Sequence, residues 1–258
     1  MQDNTWKIPI SKIYVLSLIT NYDRQEFIKQ QFSEIGLEFE FIYGTDFYNL
    51  TNDSKNKPII YPCTSENFKD ARNFGCVMTH YQAVLQAFEL GYQNVLIIED
   101  DICFIKDKNI LYQYFSSIPY DADFVTWDPR FLAKNFNTEQ KDFLDLIKHY
   151  NGDYIFLPNS YKYLCGGMMY ALMNRPTMEL YLNNQRLKLK MSDHVDGFFE
   201  NPTVTRYACT KCLCTDQYNI AKHFNSEFLW YDNIYNKIDK LNIDDFYNPS
   251  SYQLFTRS

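Results

Sequence analysis

The sequence has no run rich in lysine and arginine, and its formal net charge is −7. Duplex nucleic acid is held by clustered cations that neutralise phosphates, so this balance argues against a nucleic-acid partner. A single nucleotide can still bind locally through a metal ion and a few arginines. No apolar stretch approaches the roughly 20 residues that cross a bilayer. The opening segment MQDNTWKIPISK lacks the charged region and apolar run of a signal peptide. The 7 cysteines are odd in number and lack the spacing of a small secreted disulfide framework. Together these absences predict a soluble, cytoplasmic protein with free thiols. Tryptophan is scarce at 3 residues, while 22 tyrosines and 21 phenylalanines bring the aromatic share to 18%. Sugar-binding surfaces use such rings, but an AT-rich genome also enriches them, so the excess does not discriminate. No internal repeat, low-complexity segment or linker interrupts the 258 residues, which fit one large domain with ample core material at 46% hydrophobic. The segment from about 242 to 258 reads as a loosely ordered tail. The aromatic-rich stretch 229–252 leaves peripheral membrane contact open, without a strong amphipathic helix to support it.

What is present begins with alternating strands and helices. Lys12 to Ile19 is rich in β-branched and aromatic residues and predicts a strand. Asn21 is placed to cap a helix from Tyr22 to about Ile35, with Phe27, Ile28, Phe32 and Ile35 on its apolar face and Gly36 ending it. Phe39 to Gly44 predicts a second strand, completing a βαβ pattern. After a polar loop over 47–73, a helix is expected from about Cys76 to Leu90. Met78, Tyr81, Leu85 and Phe88 recur at its buried spacing. A helix near Asn109 to Ser117, a strand at Asp123 to Trp127 and a helical stretch ending near His149 continue the alternation. Strands at Tyr154 to Pro158 and Gly166 to Met173 and a short helix from Arg175 to Leu182 follow, with Pro176 in that helix's first turn.

The most informative stretch is NVLIIEDDICF, Asn94 to Phe104. A buried strand over Val95 to Ile98 stops at three consecutive acids, Glu99, Asp100 and Asp101. Alternation along extended chain puts Glu99 and Asp101 on one side and Asp100 on the other. The carboxyl end of a strand in an open α/β sheet is where ligands sit. Acids crowded there repel one another, and a divalent cation relieves the repulsion. One or two carboxylates with substrate phosphates suit magnesium or manganese. A solvated acidic turn is the plainer alternative.

Four blocks, IYVLSLITNYDR, GCVMTHYQAV, VLIIEDDICF and CGGMMYALMNR followed by VDGFF, resemble glycosyltransferase family 25 in order and spacing, over roughly Ile13 to Phe199. That family contains lipooligosaccharide and collagen galactosyltransferases. The resemblance implies an α/β, GT-A-like (Rossmann-like) mixed sheet, mostly parallel and flanked by helices. It also implies a UDP-sugar donor, galactose or glucose, and an inverting reaction that depends on Mn2+ or Mg2+. The acceptor is a glycan, a lipid-linked sugar or a protein hydroxyl.

On this resemblance Glu99 and Asp101 hold the metal and the donor, while Asp100 contributes to donor binding or to structure. Leu18 and Arg24 fall on the N-terminal donor motif; the alternative for Arg24 is a surface pair with Glu26 or Asp23. Gly75, Cys76, Thr79 and His80 fall on a GC..SH block. Arg72, Asn73 and Phe74 stand there in place of the acidic residue usual before that glycine. Thr79 and His80 are expected at the donor, His80 equally as a core residue. Gly166 and Gly167 permit close approach of the donor sugar. Asp196 aligns with the VD motif as the base that deprotonates the acceptor, Asp193 is the reserve base or a helix cap, and His194 is a candidate metal ligand.

Cys209, Cys212 and Cys214 form CTKCLC. Structural zinc needs four ligands, and only Cys165 and His223 offer to complete the set, so the segment reads instead as a strand leading to Gln217. Two other functions compete with the transferase. A catalytically silent domain that binds nucleotide or glycan is motivated by the altered RNFGC block. A metal-dependent phosphoesterase or nucleotidyltransferase would need a second cluster from Asp193, His194 and Asp196.

Overall fold

A computed structural model describes residues 8–44, 71–105, 107–127, 150–158, 168–188, 203–210 and 213–216. The predicted helix ending near His149, Gly166, Gly167, Asp193, His194, Asp196, Cys212 and the tail lie outside them.

Nine strands and four helices are described. In chain order they are β1 (Ile13–Leu18), α1 (Tyr22–Ile35), β2 (Glu40–Gly44), α2 (Ala71–Glu89), β3 (Val95–Glu99), β4 (Ile102–Phe104), α3 (Lys108–Ser116), β5 (Phe124–Thr126), β6 (Tyr154–Phe156), β7 (Met169–Leu172), α4 (Arg175–Lys188), β8 (Arg206–Cys209) and β9 (Cys214–Asp216). Seven strands form one sheet in the order β2-β1-β3-β7-β5-β8-β6. β2, β1, β3, β5 and β8 run one way, and β7 and β6 run against them. The fold is therefore a mixed α/β sheet, mostly parallel in strand direction. β4 and β9 pair antiparallel as a separate small sheet.

Two apolar clusters explain the layering. Tyr14, Leu16, Val95, Ile97, Tyr170 and Leu172 lie in one, with Val77, Val84 and Ala87 of α2 and Met178 and Tyr181 of α4. Their sequence neighbours Ile13, Val15, Leu96, Ile98, Met169 and Ala171 lie in the other, with Ile28 and Phe32 of α1 and Leu111 and Phe115 of α3. Alternate strand residues thus face opposite helix layers, which is the period of two expected of strands buried on both sides.

Local chemistry fixes the ends of these elements. Gly36 adopts φ +74° after α1, and its N–H donates to the Phe32 carbonyl at 2.9 Å. A left-handed residue at that position closes the helix. At its start, the Asn21 side chain makes no capping hydrogen bond and is turned elsewhere. Asp107 caps α3 by accepting from the Asn109 N–H at 2.9 Å. Asn174 caps α4 by accepting from Thr177 N–H at 2.9 Å and its hydroxyl at 2.7 Å.

Three boundaries differ from expectation. Helix α2 begins at Ala71, so the RNFGC block is helical. Helix α4 extends to Lys188, beyond the short helix expected to end at Leu182. The expected single strand through CTKCLC is two strands in different sheets, with buried thiols at Cys209 and Cys214. One continuous apolar pattern there serves two pairings, Cys209 opposite Tyr154 and Cys214 opposite Phe104.

Candidate active site

β1, β2 and β3 are parallel neighbours, so their carboxyl ends share one edge. The acidic run Glu99-Asp100-Asp101 stands on that edge, and each acid has a different setting.

Strand alternation sends Ile97 to the α2 side and Ile98 to the α1 side, and the next two residues follow suit. Asp100 turns toward α1 and is almost fully buried at 6% exposure. Its Oδ2 accepts from the Ser17 hydroxyl at 2.6 Å and the Asn21 amide at 3.1 Å, and its Oδ1 from Arg24 Nη1 at 3.0 Å. The missing Asn21 cap is explained by this bond. A buried carboxylate needs such partners, since charge without them is costly to desolvate. The bonds tie the end of β1 and the first turn of α1 to the end of β3. Arg24 therefore pairs across the fold instead of with Glu26 or Asp23.

Alternation ends at Asp101, because residues 100–101 form a turn. Asp101 Oδ2 stands 3.6 Å from the same Arg24 nitrogen, so it joins Asp100 beside the guanidinium. Burial works against the charge on Arg24, but Asp101, Asp100 and Glu99 outweigh it and hold the guanidinium more firmly protonated than usual. Leu18 ends β1, and its carbonyl accepts from the Gln25 amide at 2.8 Å and the Asn21 N–H at 3.0 Å. The donor-motif turn is thus fixed from both sides.

Glu99 turns the other way, toward α2. Its Oε1 lies 3.3 Å from His80 Nε2. The His80 ring is fully buried and stacked on Tyr170, whose hydroxyl lies 3.1 Å from Nδ1 and donates onward to Tyr181 at 3.5 Å. The ring thus presents Nδ1 to Tyr170 and Nε2 to Glu99. Burial opposes a charge on His80, but the Cys76 sulfur and then Glu99 outweigh it and push its pKa up to about 10. Burial keeps the Tyr170 phenol protonated. Cys76 Sγ, a His80 ring nitrogen and a Glu99 oxygen all lie within 4.8 Å of one another.

Thr79 is buried, its hydroxyl donating to the Gly75 carbonyl at 2.7 Å. It also packs against the end of β2, where a Cβ on Gly44 would run into the Thr79 hydroxyl oxygen. Gly166 and Gly167 lie outside the described residues. Met168, the next residue, accepts the Glu99 N–H at 2.9 Å, so β7 starts beside the acidic run.

The family model for glycosyltransferase family 25, described as an LPS biosynthesis protein, matches residues 10–195, more than two thirds of the chain. The chain belongs to glycosyltransferase family 25. As a family 25 member it is a glycosyltransferase. The solved crystal structure of mannose-1-phosphate geranyltransferase from Thermus thermophilus is similar at 8% identity and a TM-score of 0.40, covering 85% of this chain and 80% of that one. The fold class rests on the sheet itself. No curated protein matches the chain. None of the described helices of this family 25 chain is long and apolar enough to cross a membrane.

The divalent cation implied by the family resemblance can be tested against the donor set. Glu99 and Asp101 leave 29% and 28% of their side chains exposed, against 8% for Asp100. Both are partly exposed carboxylates, hard oxygen donors of the kind magnesium and manganese prefer, so their chemistry fits the ion. Asp100 is already committed to Ser17, Asn21 and Arg24. Sequence reasoning found the acids and Arg24 but missed Ser17, Tyr170 and the Cys76–His80–Glu99 grouping. Only the helical spacing of Cys76 and His80 signalled the last of these.

Proposed function

We propose that this family 25 enzyme is a metal-dependent inverting hexosyltransferase. It moves galactose or glucose from a UDP-sugar to a hydroxyl of a surface glycan, lipid-linked sugar or protein. The observation that carries this reading is the acidic run at the shared strand edge, with Asp100 locked to the β1–α1 turn and two half-open carboxylates beside it.

Asp100 keeps the start of α1 against the end of β3. The first turn of a helix offers free backbone N–H groups and a positive dipole end, which suit an anionic pyrophosphate. Arg24, fixed in that turn, adds a permanent cation. Glu99 and Asp101 are the carboxylates that would hold manganese or magnesium, and the bound ion supplies stabilisation of the charge growing on the leaving oxygen. The acceptor oxygen attacks the anomeric carbon from the face opposite the pyrophosphate, its proton passing to a carboxylate. UDP leaves with the bonding electron pair. The resemblance gives the base role to Asp196, with Asp193 in reserve. His194, an imidazole in the same segment, supplements the metal ligands, and by resemblance Gly166 and Gly167 border the donor sugar.

Calorimetric titration of UDP with and without manganese, on the wild type and Asp101→Ala, tests the reading. The expected outcome is tight binding that needs the metal and is lost in the variant. No UDP binding under either condition would sink the UDP-sugar donor.

A further inference from the structure

Glu99 has two neighbours on α2 whose ligating atoms the donor mechanism above does not use. Cys76 and His80 are four residues apart, so both side chains leave the same face of the helix. Their ligating atoms and a Glu99 oxygen lie within 4.8 Å of one another, and His80 Nε2 already stands 3.3 Å from Glu99 Oε1. Tetrahedral ligands at zinc bond lengths stand about 3.3–3.8 Å apart. The Cys76 thiol sits on an exposed residue and is not in a disulfide.

A second observation lies behind the imidazole. Histidines that bind metals donate their other ring N–H to an oxygen, which fixes the nitrogen presented to the ion. Tyr170 fills that place for His80, at 3.1 Å from Nδ1, and is backed in turn by Tyr181. The ring is stacked on Tyr170 with centroids 5.7 Å apart. Nε2 is thereby held toward Glu99 before any ion arrives.

The donor set decides which ion. A thiolate with an imidazole and one carboxylate suits zinc or cobalt, whereas magnesium and manganese prefer oxygen alone. Three protein ligands leave a fourth position for water, and the exposed side of Cys76 provides the entry path.

We propose that Cys76, His80 and Glu99 form a binding site for a thiophilic divalent cation of the zinc class, and that filling it draws Glu99 from the donor site and slows sugar transfer. The binding half stands on the three side chains alone; the inhibitory half rests on the donor role of Glu99 given above.

Cobalt titrated into the full, reduced chain, stripped of metal and then supplied with excess manganese, tests both halves. One equivalent is expected to raise a thiolate-to-cobalt charge-transfer band that zinc then bleaches. Cys76→Ser is expected to abolish the band and to weaken zinc binding about tenfold or more, read by competition with a chromogenic chelator. Tyr170→Phe, which keeps the ring but removes the hydroxyl behind His80, is expected to weaken zinc binding about tenfold. No band in the wild type, or a band that survives in Cys76→Ser on another of the chain's 7 cysteines, overturns the site. If UDP fails to bind with manganese while the band appears, the donor reading falls and the cation site stands. Sugar transfer unaffected by zinc in an enzyme that does bind UDP and does show the band overturns the inhibitory half.

Discussion

At the scale of single residues, the three adjacent acids divide the work. Asp100 has hydrogen bonds from Ser17, Asn21 and Arg24 and is buried, whereas Asp101 is open on one side. Asp100→Asn removes the charge but keeps the volume, leaving a cation and two donors facing an amide. Losing one member of a buried pair commonly costs about 3–5 kcal/mol, but the Arg24 side chain is 45% exposed and water screens it. We expect a loss of about 1–3 kcal/mol in urea unfolding, and weaker UDP binding because the β1–α1 turn loosens. Asp101→Ala should change stability by less than about 1 kcal/mol while abolishing metal-dependent UDP binding. Equal losses of stability in both variants would contradict this division. The acids were legible in the sequence because a short apolar run ending in charge marks a strand's carboxyl end. Their partners were not. Ser17 is 83 residues from Asp100 and Tyr170 is 90 from His80, and only the packing of β1 beside β3 and of α2 on β7 brings them together.

At the scale of elements, the sequence marked α1 with the bounds observed, since Gly36 and the spacing of Ile28, Phe32 and Ile35 act locally. It misplaced the start of α2 by passing over Asp70, a residue type favoured at helix starts, immediately before Ala71. It also joined β8 to β9, because an apolar run does not say which partner strand each half finds. The β2–α2 contact is a tertiary constraint of the same sort. Gly44→Ala would push a methyl group into the Thr79 side chain. A cost of about 1–3 kcal/mol is expected, with part of it recovered in the Gly44→Ala, Thr79→Ala double variant, which deletes the hydroxyl nearest the new methyl. Full additivity in that cycle would refute the contact. The neighbouring β1–β2 pair adds a pH dependence of its own. Lys12 Nζ lies 2.7 Å from Glu40, and hydrogen bonding to Lys12 lowers the Glu40 pKa against a smaller opposing effect of burial. A depressed carboxylate stabilises above its unfolded value of about 4.5 and loses that contribution as pH falls through the folded value. Because Glu40 is 46% exposed, the coupling should be only about 0.2–1 kcal/mol. A double-mutant cycle of Lys12→Met and Glu40→Gln should show it at pH 7 and lose it in acid.

At the scale of the whole molecule, the acidic edge is where the two helix layers meet. Glu99 reaches α2 and the Tyr170–Tyr181 chain on one face of the sheet, and Asp100 reaches α1 on the other. A ligand bound across these acids therefore engages both layers, and its binding energy appears as stability of the folded chain. For a single site with free ligand at about 100 times its dissociation constant, that gain is about 2.7 kcal/mol. In a chain of this size the corresponding rise in Tm is about 5–10 °C. UDP with manganese should produce that rise in the wild type, UDP alone should produce little, and Asp101→Ala should produce none. The three conditions separate causes that a single melting curve would merge. A rise with manganese alone reports an ion bound without nucleotide. A rise with UDP that ignores both manganese and Asp101 places the nucleotide away from the acidic edge, and the metal-dependent donor reading would then fail although the chain still belongs to family 25.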